Sequence, residues 1–364
     1  MIYLDNGATS FHKPAQVRRA MLQTMLRCAN PGRGGYPAAM AAAEQVYRCR
    51  EAAGKLFHCQ PEQVVLTYNC THGLNIAIRT LVSAGDRVVI SGFEHNAVTR
   101  PLHALGANVA VAGRRLFDPS DTLEQFEQAL RKGAKAAVFT HASNVFGYVL
   151  PVEQIAWLCR QYGVPFIIDA AQSAGILPLN LQALGADFIA MPGHKGLLGP
   201  QGTGILLCNR LPEPLLHGGT GSGSMEQAMP DFLPDRAEAG TLNVPGIGGL
   251  TAALDYLSGT GISRIAAGEK AQMRLCVQGL KKLGFRVFSG ENQIGIVSFI
   301  PKTDCEEMAR RLGERGICVR AGLHCAPLAH ESAGTLETGT VRVSYGHDAS
   351  VNQTQQLLKA AAAL

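Results

Sequence analysis

The sequence predicts an α/β protein in which a mostly parallel sheet carries helices on both faces and a smaller α+β unit follows. Three observations lead there. Short apolar, β-branched runs alternate with stretches of helical period from residue 60 to 207. Polar and glycine residues gather directly after those runs, where open sheets of this class bind ligands. Beyond about residue 258 the alternation gives way to long helices and separate strands. The chain has 364 residues, enough for two substantial cores. We divide it into a large unit over 15–257 and a small unit formed by 1–14 with 258–364.

The chain opens with a strand-like Ile2-Tyr3-Leu4 and then Asp5-Asn6-Gly7-Ala8-Thr9-Ser10, small and polar enough for close backbone approach to a ligand. Residues 14–27 read as a helix with Pro14 in its first turn. The turn cluster Asn30 to Tyr36 ends it and holds Arg33, either an exposed loop residue or one that reaches a phosphate or a partner subunit. A helix over 37–57 and a strand over 63–67 come next. The polar turn Asn69-Cys70-Thr71-His72-Gly73 then starts a helix that reaches Leu81. Helix starts offer unpaired amides and a partial positive charge to phosphate, and Thr71 either adds its hydroxyl or caps the helix.

The strand 87–90 leads to Glu94-His95, and 108–111 is another strand. An amphipathic helix spans 121–132, and the strand 136–140 runs into His141-Ala142-Ser143-Asn144. After a helix at 151–162, Phe166-Ile167-Ile168 stops at Asp169. Phe188-Ile189-Ala190 runs into Pro192-Gly193-His194-Lys195-Gly196, and 203–207 is a strand. Residues 211–240 show no clear period, and the run Gly218 to Ser224 lacks P-loop spacing. Helices are predicted near 245–258, 262–283, 304–315 and 349–364, and strands near 286–288, 294–299, 317–320 and 341–344.

Composition narrows the function classes. At 46% apolar and 17% charged residues the chain is of ordinary globular type. Its net charge of +5 is mild and scattered, which argues against a nucleic-acid stripe. The N-terminus has no secretion signal and no apolar run is long enough for a membrane span, so a cytosolic setting is expected. Ten cysteines without a CxxC pair argue against a zinc ribbon, and no metal is expected.

Asp169 ends one predicted strand and Lys195 follows the next in a Gly-rich turn, so the two are expected to face each other over one crevice. A lysine opposite an acid suggests a pyridoxal phosphate (PLP) site, where the lysine carries the aldehyde and the acid holds the pyridinium nitrogen. Cys325 stands in a Gly/His/Pro loop, Gly322-Leu323-His324-Cys325-Ala326-Pro327, where a nearby histidine can favour its thiolate. Arg342 lies in a strand, either outward on the surface or inward as a bidentate carboxylate clamp.

Taken together, several motifs resemble the class V aminotransferase branch of fold-type I PLP enzymes, and within it the cysteine desulfurases. They are Asp-Ala-Ala-Gln at 169–172, Gly-His-Lys at 193–195 with Gly-Pro-x-Gly-x-Gly at 199–204, and Glu-His-x-Ala-Val at 94–98. Asn144-x-x-Gly, Ala-Gly-Thr-x-Asn at 239–243, Arg-x-Gly-x-His-Cys-Ala at 320–326 and Val-Arg-x-Ser at 341–344 extend the resemblance over nearly the whole chain. It implies a seven-stranded-type large sheet and PLP held on Lys195. It also implies His95 stacked on the pyridine ring with possible proton transfer, Gln172 on the ring oxygen, and Thr71, His72 and His194 around the phosphate. Asn144 is then near the cofactor oxygen and the substrate, and Arg342 on the substrate carboxylate.

The same resemblance makes Cys325 the nucleophile that takes sulfur from L-cysteine as a persulfide, leaving L-alanine, for transfer to a possible acceptor protein. Thr241 is implied to reach the phosphate of the other subunit, with the Arg33 loop also completing the neighbour's site, in a homodimer with composite sites. Three departures stand out. Gly7 replaces a commoner alanine, Leu323 a polar residue, and Pro192 a serine that donates to the phosphate. A selenocysteine lyase, another class V aminotransferase or an epimerase remain as alternatives on the same cofactor, and a non-catalytic scaffold as one of a different class.

Overall fold

The computed structural model describes residues 1–32 and 34–364. Arg33, and with it the expectation placed on it, lies outside the described residues.

The chain starts with β1 (Ile2–Tyr3), α1 (Ala15–Arg27) and α2 (Pro37–Phe57). It continues through β2 (Val64–Thr67), α3 (Cys70–Leu81), β3 (Arg87–Ser91), α4 (Asn96–Ala104), β4 (Asn108–Ala112), α5 (Pro119–Arg131), β5 (Ala136–Thr140) and α6 (Val152–Tyr162). Then come β6 (Phe166–Asp169), α7 (Leu181–Leu184), β7 (Phe188–Pro192) and β8 (Gly204–Cys208). These strands form a seven-stranded sheet in the order β2-β8-β7-β6-β5-β3-β4. Only β8 runs against its neighbours; the pairs β3–β4, β3–β5, β5–β6 and β6–β7 are parallel.

Successive residues in a strand point to opposite faces, and a sheet covered on both sides therefore needs apolar residues at every position. Here Val64 and Leu66 enter the core on one face and Val65 the core on the other. Ile168 and Ile167 divide in the same way, as do Ile189 and Ala190. This explains why the strands read as unbroken apolar runs. The parallel arrangement places the C-terminal ends of β5, β6 and β7 side by side, with Asp169 paired in register to Thr140 and Ala190.

The remainder consists of α8 (Val244–Thr260), α9 (Ile262–Lys282), β9 (Arg286–Phe288), β10 (Ile296–Ile300), α10 (Cys305–Glu314), β11 (Ile317–Cys318), β12 (Arg320–Gly322), α11 (Pro327–Ala333), β13 (Thr340–Ser344) and α12 (Val351–Ala362). An antiparallel four-stranded sheet has the order β12-β13-β10-β9. The single strand expected over 317–320 is two strands: β11 pairs parallel with β1, whereas β12 pairs with β13. Choice of partner, a long-range matter, breaks the run at Val319. Helices α4, α7 and α11 are not among the elements the sequence predicts. Leu4 packs with Met273, Val297, Leu312 and Val343 in a third core, so the N-terminal segment is built into this part of the molecule.

One buried ion pair braces the far edge of the large sheet. Arg50 of α2 meets Glu238 through two bonds of 2.8 and 2.6 Å, and Glu238 also accepts the Leu66 amide at 2.6 Å. Both side chains are under one-tenth exposed. Removing one partner strands a charge in the core, whereas removing both does not. Glu238→Ala should therefore cost about 3–5 kcal/mol in urea denaturation, and Arg50→Met with Glu238→Leu should recover most of that loss.

Candidate active site

The ends of β2, β5, β6 and β7 open onto one cavity of about 500 Å³. Seven of the sequence-predicted residues line it: Thr71, His95, Asn144, Asp169, Gln172, His194 and Lys195. Their convergence follows from topology, since parallel strands deliver their C-terminal turns to one edge. Asp169 is buried at the end of β6, and its Oδ1 accepts the Ala171 amide at 2.8 Å and the Cys70 thiol at 3.4 Å. Burial pushes the Lys195 amine below its ordinary value, while the Asp169 carboxylate pulls the other way.

The turn holding Lys195 is fixed by the N-terminal segment. The His194 carbonyl accepts the Ser10 amide at 2.9 Å, the Ser10 hydroxyl at 3.0 Å and the Thr9 hydroxyl at 3.1 Å. The His194 ring lies 3.1 Å from Thr9 Oγ1, and burial holds it at about 4, hence neutral. Gln172 donates to the Gly7 carbonyl at 2.9 Å. Pro192 has no N–H, and the Gly193 amide is spent on the Thr203 carbonyl at 2.8 Å. The start of α3, with Cys70 and Thr71, faces the same cavity. Asn69, not Thr71, caps this helix, accepting the His72 amide at 2.9 Å, so the Thr71 hydroxyl remains for the cavity. The His72 ring is turned away: it stacks on Tyr68 at 4.9 Å and is absent from the cavity lining.

His95 is both a helix cap and a cavity residue. Its Nδ1 accepts the Ala97 amide at 3.0 Å and caps α4, and its ring also lines the cavity. Burial lowers its pKa, with Asp169 opposing. A neutral ring that accepts at Nδ1 carries its proton on Nε2. The preceding Glu94 is fully buried. It accepts the Thr140 amide at 2.8 Å and the Ser91 amide and hydroxyl, tying β3 to β5 at the cavity rim, and burial raises its carboxyl to about 8.

Cys325 is the exposed one among ten free cysteines. His324 and Cys325 both adopt left-handed backbone, with φ of 51° and 54°. Two bonds pin them to the cavity wall. Asn144 Nδ2 donates to the His324 carbonyl at 2.8 Å, and the Asn96 amide, at the start of α4, donates to the Cys325 carbonyl at 2.8 Å. His324 does not supply the charge expected of it. Its ring is buried, stacked on His330 at 5.7 Å, and held at about 2 by burial first and then by Arg342 and His330, so it is neutral beside the thiol.

Arg342 points inward and is 1% exposed. Nη2 meets Asp5 Oδ1 at 2.6 Å, Nη1 donates to the Asn144 carbonyl at 2.9 Å, and Nε has no partner. Gly7 lies against it: a Cβ there would stand 3.1 Å from Arg342 Cζ. No local pattern announces the Asp5 contact, nor Arg320, which sits opposite Arg342 across β12–β13. Thr241 lies elsewhere, exposed in a cavity of about 1200 Å³ with Asn30, Tyr47 and Arg50.

The family model described as aminotransferase class-V matches residues 2–357. A "probable cysteine desulfurase" of Methanothermobacter thermautotrophicus is 35% identical, covering 98% of this chain and 92% of that protein. A cysteine desulfurase of Shigella sonnei is 32% identical over 90% of this chain and 84% of its own length. Among solved structures, an apo cysteine desulfurase from Thermococcus onnurineus superposes with a TM-score of 0.88 at 30% identity, covering 98% of this chain and 93% of that one.

Lys195 and Gln172 also line a second cavity, together with Gly7 and Glu269. Glu269 is 4% exposed, and burial, with Asp348 adding, raises its carboxyl to about 8. An unfolded glutamate loses its proton near pH ~4.3. Between these values the folded chain binds the extra proton, so stability falls as pH rises. Glu269→Gln removes this loss. Its advantage over the parent in urea should grow from pH 5 to pH 8, reaching roughly 2–4 kcal/mol, and level off above.

Proposed function

The chain belongs to the aminotransferase class-V family, and from that premise we propose that it is a PLP-dependent cysteine desulfurase. One observation carries the reading. The Lys195 amine and Asp169 carboxylate share a cavity with His95 and Asn144, and the loop of the exposed Cys325 is hydrogen-bonded to that cavity's wall. The residues present fit the cofactor. Lys195 offers an amine for the aldehyde, Asp169 a buried acid for the ring nitrogen, and the start of α3 with Thr71 a place for the phosphate. Gln172 serves the ring oxygen, His95 the ring face and His194 the phosphate side.

When bound, PLP draws electrons from the substrate's Cα. The chain's own groups do the rest. Arg342 takes the substrate carboxylate with the donors that Asp5 and the Asn144 carbonyl leave free, and Asn144 lies beside it. Lys195, its amine less basic than usual, removes and returns the proton at Cα. The Cys325 thiolate attacks the substrate Sγ. The C–S bond breaks, its electron pair stays with the carbon, which gains a proton and leaves as L-alanine, and the sulfur remains on Cys325 as a persulfide until an acceptor thiol removes it.

The reading includes a cytosolic homodimer with residues 15–257 as the cofactor unit and 1–14 with 258–364 carrying the cysteine loop. The dimer is supported by exposed apolar side chains on α1 and α2, among them Leu22, Met25, Leu26 and Met40. Exposed Tyr47 also lines the cavity that holds Thr241, which supports that threonine as a group for the neighbour's phosphate. Ten unpaired thiols suit a reducing compartment.

Alanine release from L-cysteine with a thiol reductant tests the proposal. The parent should form alanine, Cys325→Ala should bind PLP yet lose roughly a hundredfold or more of this activity, and Lys195→Ala should lose the visible absorption of lysine-bound PLP. A parent that absorbs but leaves L-cysteine unchanged would refute the substrate and direct attention to selenocysteine.

A further inference from the structure

Asp169 reaches the cavity from the end of β6 as the one carboxylate in its lining, and something must fix its rotation. Its Oδ1 has two partners, the Ala171 amide at 2.8 Å and the Cys70 thiol at 3.4 Å. Cys70 is the first residue of α3, buried, and itself part of the cavity lining. We propose that Cys70 is a positioning residue for Asp169, its thiol donating to Oδ1 and, with the Ala171 amide, leaving Oδ2 to face the bound ring nitrogen. The inference rests on the PLP reading for its consequence, though the hydrogen bond itself does not.

The chemistry of the thiol agrees. A cysteine at a helix start ordinarily tends towards thiolate. Here burial, and next the adjoining carboxylate, push Cys70 well above its usual value against the pull of Lys195, so it keeps its proton and can donate. Sulfur is a weak donor with a long reach, which suits a contact that orients the carboxylate without neutralising it. A serine can replace the donation; alanine and valine cannot, and valine still fills the space.

The test compares the parent with Cys70→Ala, Cys70→Val and Cys70→Ser in two readouts on PLP-loaded protein: the PLP dissociation constant and the pH at which the visible absorption changes form. Ala and Val should weaken PLP binding roughly five- to tenfold and displace the spectral transition, while Ser should stay within about twofold of the parent with its transition restored. Ala and Val variants identical to the parent would overturn the proposal. So would a Ser variant as weak as Ala, which would reduce Cys70 to packing. If the parent binds no PLP, the functional reading fails by itself, and infrared spectroscopy of the cofactor-free protein decides the inference. The S–H stretch lost in Cys70→Ser should move to higher frequency in Asp169→Asn, and an unmoved band would overturn it.

Discussion

Burying the guanidinium of Arg342 sets conditions that much of the rest obeys. A charge taken from water costs several kcal/mol unless it is paired and hydrogen-bonded. The partners come from separate parts of the chain: Asp5 from the N-terminal segment and the Asn144 carbonyl from the loop after β5, meeting a side chain that stands on β13. Pairing therefore draws the N-terminal segment across the seam, with Gly7 against the guanidinium where a side chain would crowd it. The same segment then supplies Thr9 and Ser10 to the His194 carbonyl. One buried charge thus helps decide where Lys195 is held.

Around that lysine the site is a balance of desolvated groups. Its amine is made less basic by burial and more basic by Asp169. The histidines near it, His95, His194 and His324, are all shifted towards the neutral form, which keeps positive charge from accumulating beside Lys195, Arg320 and Arg342. Glu94, fully buried and holding its proton up to about 8, ties two strands together without adding a negative charge near Asp169 at neutral pH. The arrangement leaves Asp169 as the principal anion of the cavity.

Much of this was legible in the chain. The seven-stranded sheet could be read because each buried strand is a short apolar run ending in polar turns, and a parallel topology needs that pattern. Asp169 and Lys195 could be paired because both follow such runs. What escaped depends on contacts distant in sequence or on side-chain direction. Splitting 317–320 into two strands needs knowledge of β1 and β13 as competing partners. Asn69 rather than Thr71 as the cap, and His72 turned onto Tyr68, are matters of one residue's rotation about the helix start. Asp5 as partner of Arg342 spans almost the whole chain. Nothing local announces that the Cys70 thiol meets a carboxylate.

The two successive left-handed residues, His324 and Cys325, have their carbonyls held by Asn144 and Asn96. Non-glycine residues have only a narrow basin in that region, so a short stretch held at both carbonyls behaves as a fixed post, not a swinging arm. On the proposed function, sulfur taken up at such a post would not be ferried outward by the loop. Whatever collected it would have to bring its own reach, extending a thiol to the surface, and the choice among collectors would then fall to the shape and charge of the rim around Cys325.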